Sequence, residues 1–231
     1  MCGRHRIQNP AALRELARRL FGVNLPGFAP RYIVAPSQTM PVLATDEDGA
    51  VRAATMKWGM VPFWDEAGKP RLAPINAKSE EAFSKPMVRQ SIQERRCLVP
   101  ADGFYEWQKL EGDRKQPFAI QRKGGRPFFF AGIYESATEI RPETFLVFTT
   151  KPNALRAKIH NRMPAILPDE KAKPWISPGA VTADELAGFT VSYPAAKMEA
   201  RPISVLANNP RNDSPDCLVS IDEGPAGVRR A

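Results

Sequence analysis

Proline occupies 23 of the 231 positions and is the feature that most restricts the fold of this chain. Proline cannot donate a backbone hydrogen bond and its φ is fixed, so it interrupts helices and is found in turns and at sheet edges. Its frequency therefore favours short helices and many turns over a helical bundle. Seven segments have the composition of β-strands, and they cover residues 40–45, 51–58, 96–100, 104–108, 117–122, 128–134 and 144–150.

Helical patterns are short and lie between these segments. The clearest begins with Asn9 as N-cap and Pro10 in the first turn, and it ends at Gly22. Others occur near residues 79–83, 153–159, 168–175 and 182–187. We therefore predict an α+β fold, a single domain over residues 1–222 with a curved, mainly antiparallel β-sheet core and short peripheral helices. Residues 223–231 are predicted to form a flexible C-terminal tail.

The chain is basic, with a formal net charge of +8 and a pI of about 9.6. Six arginines and one glutamate fall within residues 1–40, so positive charge is concentrated near the N-terminus. Such a distribution predicts a polyanionic partner, although a generally basic proteome would produce the same net charge.

The three cysteines, Cys2, Cys97 and Cys217, show no CxxC or paired spacing, which argues against a metal site or a disulfide framework. We therefore expect no metal and no cofactor. No run approaches 18 apolar residues and no apolar h-region follows the N-terminus, so we expect no membrane association. We predict a cytoplasmic monomer with reduced thiols, associated with the nucleoid when it is bound to DNA.

Cys2 becomes the N-terminal residue if Met1 is removed, and the small side chain of Cys2 favours that removal. A free Cys2 carries a thiol and an α-amine on adjacent carbons, with reference pKa values of about 8.5 and 7.7–8.0. This aminothiol can condense with an aldehyde to form a Schiff base and then a five-membered thiazolidine. Alternatively, the thiol attacks an amide and the amine serves as its base. A third interpretation is that cysteine at position 2 has no function.

Two polar residues stand out beside turns or aromatic residues. Asn76 precedes a helical pattern, so it either caps that helix or directs its amide into a cleft. Glu106 lies between Tyr105 and Trp107 on a predicted strand and faces the opposite side from both. A partly buried carboxyl has a raised pKa and can transfer protons near neutral pH, whereas an exposed one would be an ordinary strand residue.

His160 is one of only two histidines, and it is therefore a candidate acid–base group or an ordinary surface residue. Arg162, two residues later, is suited to binding a phosphate. Among the aromatic residues, Trp58 and Trp107 are candidates for stacking on bases, and Pro36 for wedging against a nucleic-acid backbone. Most aromatic residues belong to cores, so we expect one or two of them to contact a ligand.

Seven segments in order make this chain resemble the SOS response-associated peptidase (SRAP) family of abasic-site processing proteins, whose members shield abasic sites in single-stranded DNA. The segments are MCGR at residues 1–4, RYIVAP at 31–36, WGM at 58–60, INAKSE at 75–80, ADGFYEW at 101–107, HNRMP at 160–164 and NNPRN at 208–212. Each motif is weak alone, but together they span nearly the whole predicted domain and are specific.

The resemblance implies that Cys2 forms a thiazolidine with the ring-opened aldehyde of an abasic deoxyribose, and that Asn76, Glu106 and His160 line the site. It also implies phosphate contacts at Arg4, Lys78 and Arg162. Together with the candidates Pro36, Trp58 and Trp107 and the loop residue Arg211, these are the residues predicted to bind DNA. Phosphate contacts of this kind bind single-stranded DNA without sequence preference and are weakened by salt. The implied activities are covalent crosslinking, AP lyase chemistry through the same Schiff base, and peptidase activity.

Two positions depart from the family pattern. Ile33 stands where the family often has Asn, so one polar contact is expected to be missing. Lys78 stands where it usually has Arg, and lysine lacks the bidentate fork of arginine. Two other functions are alternatives for this sequence: an N-terminal-nucleophile amidohydrolase acting on glutamine or peptides, and a non-catalytic single-stranded DNA binder.

Overall fold

The computed structural model describes residues 2–46, 48–62, 64–65 and 73–221. Within them, the strands are β1 (His5–Ile7), β2 (Arg31–Val34), β3 (Thr39–Thr45), β4 (Val51–Trp58), β5 (Asn76–Lys78), β6 (Arg96–Ala101), β7 (Gly103–Lys109), β8 (Lys115–Arg122), β9 (Phe128–Glu135), β10 (Thr144–Thr150), β11 (Met163–Pro164), β12 (Ile166–Leu167) and β13 (Met198–Pro202). The α-helices are α1 (Pro10–Phe21), α2 (Pro86–Glu94), α3 (Ala154–Ala157), α4 (Asp169–Ile176) and α5 (Ala183–Phe189). Short 3₁₀ segments follow β5, β8 and β13 and also occupy Ala195–Lys197 and Pro215–Leu218.

The strands form two sheets. The first has the order β13-β8-β7-β1-β2, with antiparallel neighbours throughout. The second has the order β11-β10-β4-β3-β6-β9-β12, with β5 alongside β10. Because β10 also pairs with β9, the strands β10, β4, β3, β6 and β9 close into a ring. Only the pairings of β10 with β4 and β5 are parallel among those of the described strands. The predicted α+β fold with a curved, mainly antiparallel sheet is confirmed.

The main core contains side chains from both sheets, and six phenylalanines are among its described residues. Strands β9 and β10 are buried along their whole length, which explains their nearly continuous apolar sequences. Phe104, Phe130 and Phe145 are among the fully buried side chains, and each such ring contributes roughly 1.5–3 kcal/mol on burial. The opposite face of the first sheet covers a smaller cluster that includes Ile33 and Tyr105. Residues 104 and 105 therefore point into different cores, as strand alternation requires.

All seven predicted strand segments are strands in the structure, and α1 has the predicted caps. The Asn9 side chain accepts a hydrogen bond from the Ala12 amide, and Gly22 ends the helix in the left-handed conformation at φ 71°. Helix α2 was not predicted; its first residue, Pro86, lies at a position in the first turn that favours proline. The missed strands β1, β2, β5, β11, β12 and β13 have two to five residues each, too few for a clear alternation pattern.

The predicted tail at residues 223–231 lies outside the described residues, so the domain boundary stays a prediction. Among the residues that are described, no helix combines the length and hydropathy that crossing a membrane requires.

Candidate active site

The N-terminal segment enters the first sheet between β2 and β7. His5 pairs with Phe104 and Arg6 with Gly103, and continuing this antiparallel register toward the N-terminus brings Cys2 beside the Glu106 region of β7. The Tyr105 amide donates to the Arg4 carbonyl over 3.0 Å, which extends the ladder by one bond. The sheet thus holds the start of the chain against the strand that carries the predicted carboxylate.

A buried ion pair fixes this register. Arg6 Nε lies 3.3 Å from Asp102 Oδ1, just before β7 begins. The guanidinium passes so close to Gly103 that a Cβ there would lie 2.3 Å from it. A side chain at this position would displace the Arg6 guanidinium, so glycine is the residue that leaves the ion pair undisturbed.

Asn76 binds the backbone of Cys2 directly. Strand β5 pairs in parallel with β10, and the Asn76 Nδ2 donates to the Cys2 carbonyl over 2.8 Å. A second contact supports this strand, because the Trp58 indole N–H donates to the carbonyl of Ile75 over 3.0 Å. Asn76 does not act as a side-chain helix cap, since the 3₁₀ segment that follows has no side-chain cap bond.

Cys2 is almost entirely buried, with 1 % of its surface exposed. Burial and the nearby Glu106 carboxylate raise the pKa of its thiol to about 12. The thiol is therefore protonated near neutral pH, which makes the sulfur a weak nucleophile in this environment.

Glu106 is buried with 2 % exposure, and its carboxylate lies 3.1 Å from the guanidinium of Arg156. Burial raises the pKa of the Glu106 carboxyl, and the Arg156 charge opposes that rise. Glu106 is therefore a buried carboxyl and not an exposed strand residue. A carboxyl with a raised pKa is suited to both accepting and donating a proton.

His160 follows α3 in a tight turn. Its Nδ1 accepts a hydrogen bond from the Arg162 amide at 3.1 Å, so the neutral ring carries its proton on Nε2. Burial lowers the pKa of His160 to about 4, with Arg156 contributing a like charge. The imidazole is therefore a neutral hydrogen-bonding group at pH 7. The other histidine, His5, is fully buried against the Trp58 ring and forms part of the core.

A groove of about 1030 Å³ runs past this cluster. Glu106 and His160 line it, together with Arg4 and Trp107, whose guanidinium and ring lie 5.9 Å apart. The basic side chains along the groove are Arg4, Lys109, Lys115 and Lys158, and the acidic ones are Glu106 and Asp113. The groove is open and polar, and its lining carries more basic than acidic side chains. Such a groove is suited to binding a polyanion.

Two of the predicted phosphate-binding residues are held by neighbouring carboxylates. Arg162 makes a bidentate pair with Glu80 at 2.8 and 2.9 Å and also donates to the Thr149 carbonyl at 2.7 Å. Lys78 pairs with Glu81 at 2.5 Å on the surface. Either side chain must leave its carboxylate, or share it, to bind a phosphate.

The prediction that Trp58 stacks on a DNA base is wrong. Its ring is 1 % exposed and stacks on Phe145 at 6.2 Å, so no face is available to a base. Its indole N–H instead binds the Ile75 carbonyl and so supports β5, the strand that carries Asn76. Pro36 is partly buried in the turn between β2 and β3, and Arg211 is exposed in a loop and is not one of the residues lining the groove.

Ile33 is fully buried in the smaller core, and the expected loss of a polar contact at this position stays a prediction. The sequence reasoning missed Arg156, Lys109 and Lys158. Arg156 precedes the HNRMP motif by four residues and showed no pattern of its own, since its ion pair with Glu106 spans 50 positions. In the described part of the chain, no group of three or more His, Cys, Asp or Glu side chains is arranged to hold a metal ion.

Comparison with known proteins agrees with this architecture. The family model described as SOS response associated peptidase (SRAP) matches residues 1–210. The chain is 39% identical over 196 residues to abasic site processing protein YoqW of Bacillus subtilis, covering 84% of this chain and 87% of that protein. It is 33% identical over 195 residues to abasic site processing protein YedK of Escherichia coli, covering 83% and 85% of the two chains.

Solved structures show the same fold. A protein from Bacteroides thetaiotaomicron aligns with a TM-score of 0.79 at 28% identity, covering 95% of this chain and all of the other. A phage-related protein from Bordetella bronchiseptica aligns with a TM-score of 0.71 at 27% identity, covering 87% and 94%. With its family model matched over most of its length, the chain belongs to the SOS response-associated peptidase (SRAP) family.

Proposed function

We propose that this protein binds single-stranded DNA and processes abasic sites by forming a covalent thiazolidine crosslink through Cys2 after removal of Met1. The crosslink shields the damaged sugar. The observation that carries the proposal is the convergence of Asn76, Glu106 and His160 on the first residues of the chain, at the edge of a positively charged groove. The names of the relatives YoqW and YedK agree with this substrate.

The amine of Cys2 is the first nucleophile in this mechanism. A thiol whose pKa is about 12 remains protonated, whereas an α-amine has a reference pKa of about 7.7–8.0. Glu106 accepts the proton that the ammonium group must lose, and the free amine attacks the aldehyde carbon to give a carbinolamine. Glu106 then returns a proton to the departing hydroxyl, and water leaves as the C=N bond forms.

Ring closure completes the crosslink. The Cys2 sulfur adds to the imine carbon, and the thiol proton passes to the imine nitrogen, so one aldehyde and one aminothiol give a thiazolidine and one water. His160, neutral with Nε2–H as donor, stabilises the sugar hydroxyl or the opened form of the ring. Asn76 holds the Cys2 carbonyl, which restrains the reacting terminus.

DNA binding is assigned to Arg4 and Trp107 at the groove, with Lys78, Arg162, Pro36 and Arg211 as further contacts. Arg4 lies over the Trp107 ring, so a phosphate and a base can be held next to one another. Contacts to phosphates give affinity without sequence preference and a strong dependence on salt.

Further activities follow from the same intermediate. An imine at C1′ acidifies the C2′ hydrogens, so AP lyase cleavage by elimination of the 3′-phosphate competes with ring closure. Peptidase activity is proposed only toward the chain's own N-terminus. An amidohydrolase that attacks through the thiol is less well supported, because it requires a thiolate in a site that raises the thiol pKa.

The test is incubation of the purified protein with a single-stranded oligonucleotide containing one abasic site, followed by denaturing electrophoresis. We expect a stable adduct with the parent and none with Cys2→Ala. Equal binding of abasic and intact DNA without an adduct would support the non-catalytic binder, and release of ammonia from glutamine would support the amidohydrolase.

A further inference from the structure

Arg156 is a fully buried guanidinium that no motif of the sequence identified. It lies on the single-turn helix α3, where Asn153 caps its amide over 2.9 Å. The side chain has 0 % exposure and extends toward β7. Burying a charged group costs several kcal/mol unless partners compensate, so its position calls for a physical explanation.

Its contacts join two parts of the site. Nη2 lies 3.1 Å from Glu106 Oε1 and 2.5 Å from the Arg162 carbonyl, which it binds as a donor. The guanidinium also lies over the Phe104 ring at 5.7 Å. One side chain therefore connects the strand carrying Glu106 to the turn carrying His160 and Arg162.

Filling space does not account for this arginine. A buried ion pair is often no more stabilising than apolar residues of similar volume. Two nitrogens of Arg156, Nε and Nη1, are buried without a hydrogen-bond partner within the described residues, which adds to the cost. A leucine or methionine would occupy this volume more cheaply, so the charge itself has a function.

We propose that Arg156 is a positioning residue for the Cys2 reaction, holding Glu106 ionised and correctly oriented and linking it to the His160 turn. The inference rests on the proposed function of Cys2. The titratable or charged groups that line the groove with Glu106 or act on it include Cys2 and Arg4 from the N-terminal segment, Lys109 from β7, Arg156 from α3 and His160 from the following turn. Among these, Arg156 forms the ion pair.

Without Arg156, burial would favour a protonated Glu106. A neutral carboxyl cannot accept the proton that the Cys2 ammonium must lose, so crosslinking at neutral pH would be slow. Raising the pH would restore the carboxylate and the rate. Reversal of the crosslink begins with protonation of the ring and would be affected less.

The experiment compares the parent with Arg156→Met, Arg156→Lys, Glu106→Gln and the double variant Arg156→Met/Glu106→Gln. Single-turnover crosslinking rates are measured from pH 5.5 to 9, and thermal unfolding confirms that each variant is folded. Carbon-13 NMR titration of the Glu106 carboxyl without DNA supplies a readout that does not depend on crosslinking. Arg95→Met is the matched control, because it removes an arginine 3.4 Å from the buried Glu135, outside the groove lining.

We expect Arg156→Met to slow crosslinking at pH 7 by about tenfold or more and to move the midpoint of the pH–rate profile up by about one unit or more. The NMR midpoint of Glu106 should move in the same direction. In the Glu106→Gln background, Arg156→Met should cost less than about twofold, since both act through one group. Arg156→Lys keeps the charge, so its crosslinking rate and the midpoint of its pH–rate profile should lie between those of the parent and Arg156→Met. If the methionine variant does not fold, the lysine variant is measured in its place.

An unchanged NMR midpoint, or full additivity in the double variant, would overturn the role of Arg156 while leaving crosslinking intact. A parent protein that forms no adduct would instead overturn the proposed function, and this inference with it.

Discussion

The side-chain amide of Asn76 donates a hydrogen bond to the main-chain carbonyl of Cys2 over 2.8 Å, so a short strand 74 residues away restrains the start of the chain. Positioning of reactants is a large part of catalysis, and small displacements are costly. Asn76→Ala should therefore slow crosslinking by roughly tenfold to a hundredfold, with little change in affinity for intact single-stranded DNA. Crosslinking rates and fluorescence anisotropy measure the two effects. A variant that binds DNA poorly but reacts at the normal rate once bound would contradict this role.

Glu106→Gln keeps the size of the side chain and removes its proton transfer. We expect both formation and reversal of the adduct to slow by about a hundredfold, the lower end of typical general acid–base effects. The dissociation constant for intact DNA should be nearly unchanged, because a buried group at the groove edge makes no phosphate contact. Equal rates in variant and parent would remove Glu106 from the mechanism.

Arg162 is held by Glu80, so Glu80→Gln should release its guanidinium for a phosphate. Exposed ion pairs contribute about 0.2–1 kcal/mol, which predicts an increase in DNA affinity of up to about fivefold. The gain should shrink as salt rises. Glu15→Gln, which frees Arg18 on the exposed face of α1, is the control and should leave affinity unchanged. Weaker binding after Glu80→Gln would show that Glu80 orients Arg162 instead of competing for it.

His5 makes stability depend on pH. Burial lowers its pKa to about 3 in the folded chain, whereas an unfolded histidine titrates near 6.5. Below pH 6.5 the unfolded state binds the extra proton, so the free energy of unfolding falls by about 1.4 kcal/mol per pH unit until about pH 3. Chemical denaturation of parent and His5→Gln between pH 7 and 4 should show a shallower slope in the variant. Parallel slopes would mean that His5 is accessible to protons in the folded state.

The sequence predicted the strands with long apolar or aromatic runs and the helix with strong caps, because those signals are local. It did not predict β1 or β5, the two strands that position Cys2 and Asn76, since three residues carry no readable period and their pairing partners are distant. Strand alternation correctly separated the face of Glu106 from that of Tyr105. The burial of Trp58 and the Arg156 ion pair depend on tertiary packing, which an isolated motif does not contain.

The most direct test of the account is the intact mass of the protein after incubation with abasic and with intact single-stranded oligonucleotides. We predict a chain that has lost Met1 and that gains the mass of the abasic oligonucleotide minus one water, with no gain from intact DNA or in Cys2→Ala. A chain that retains Met1 after expression in its host, or one that gains no mass from damaged DNA, would contradict the proposed chemistry.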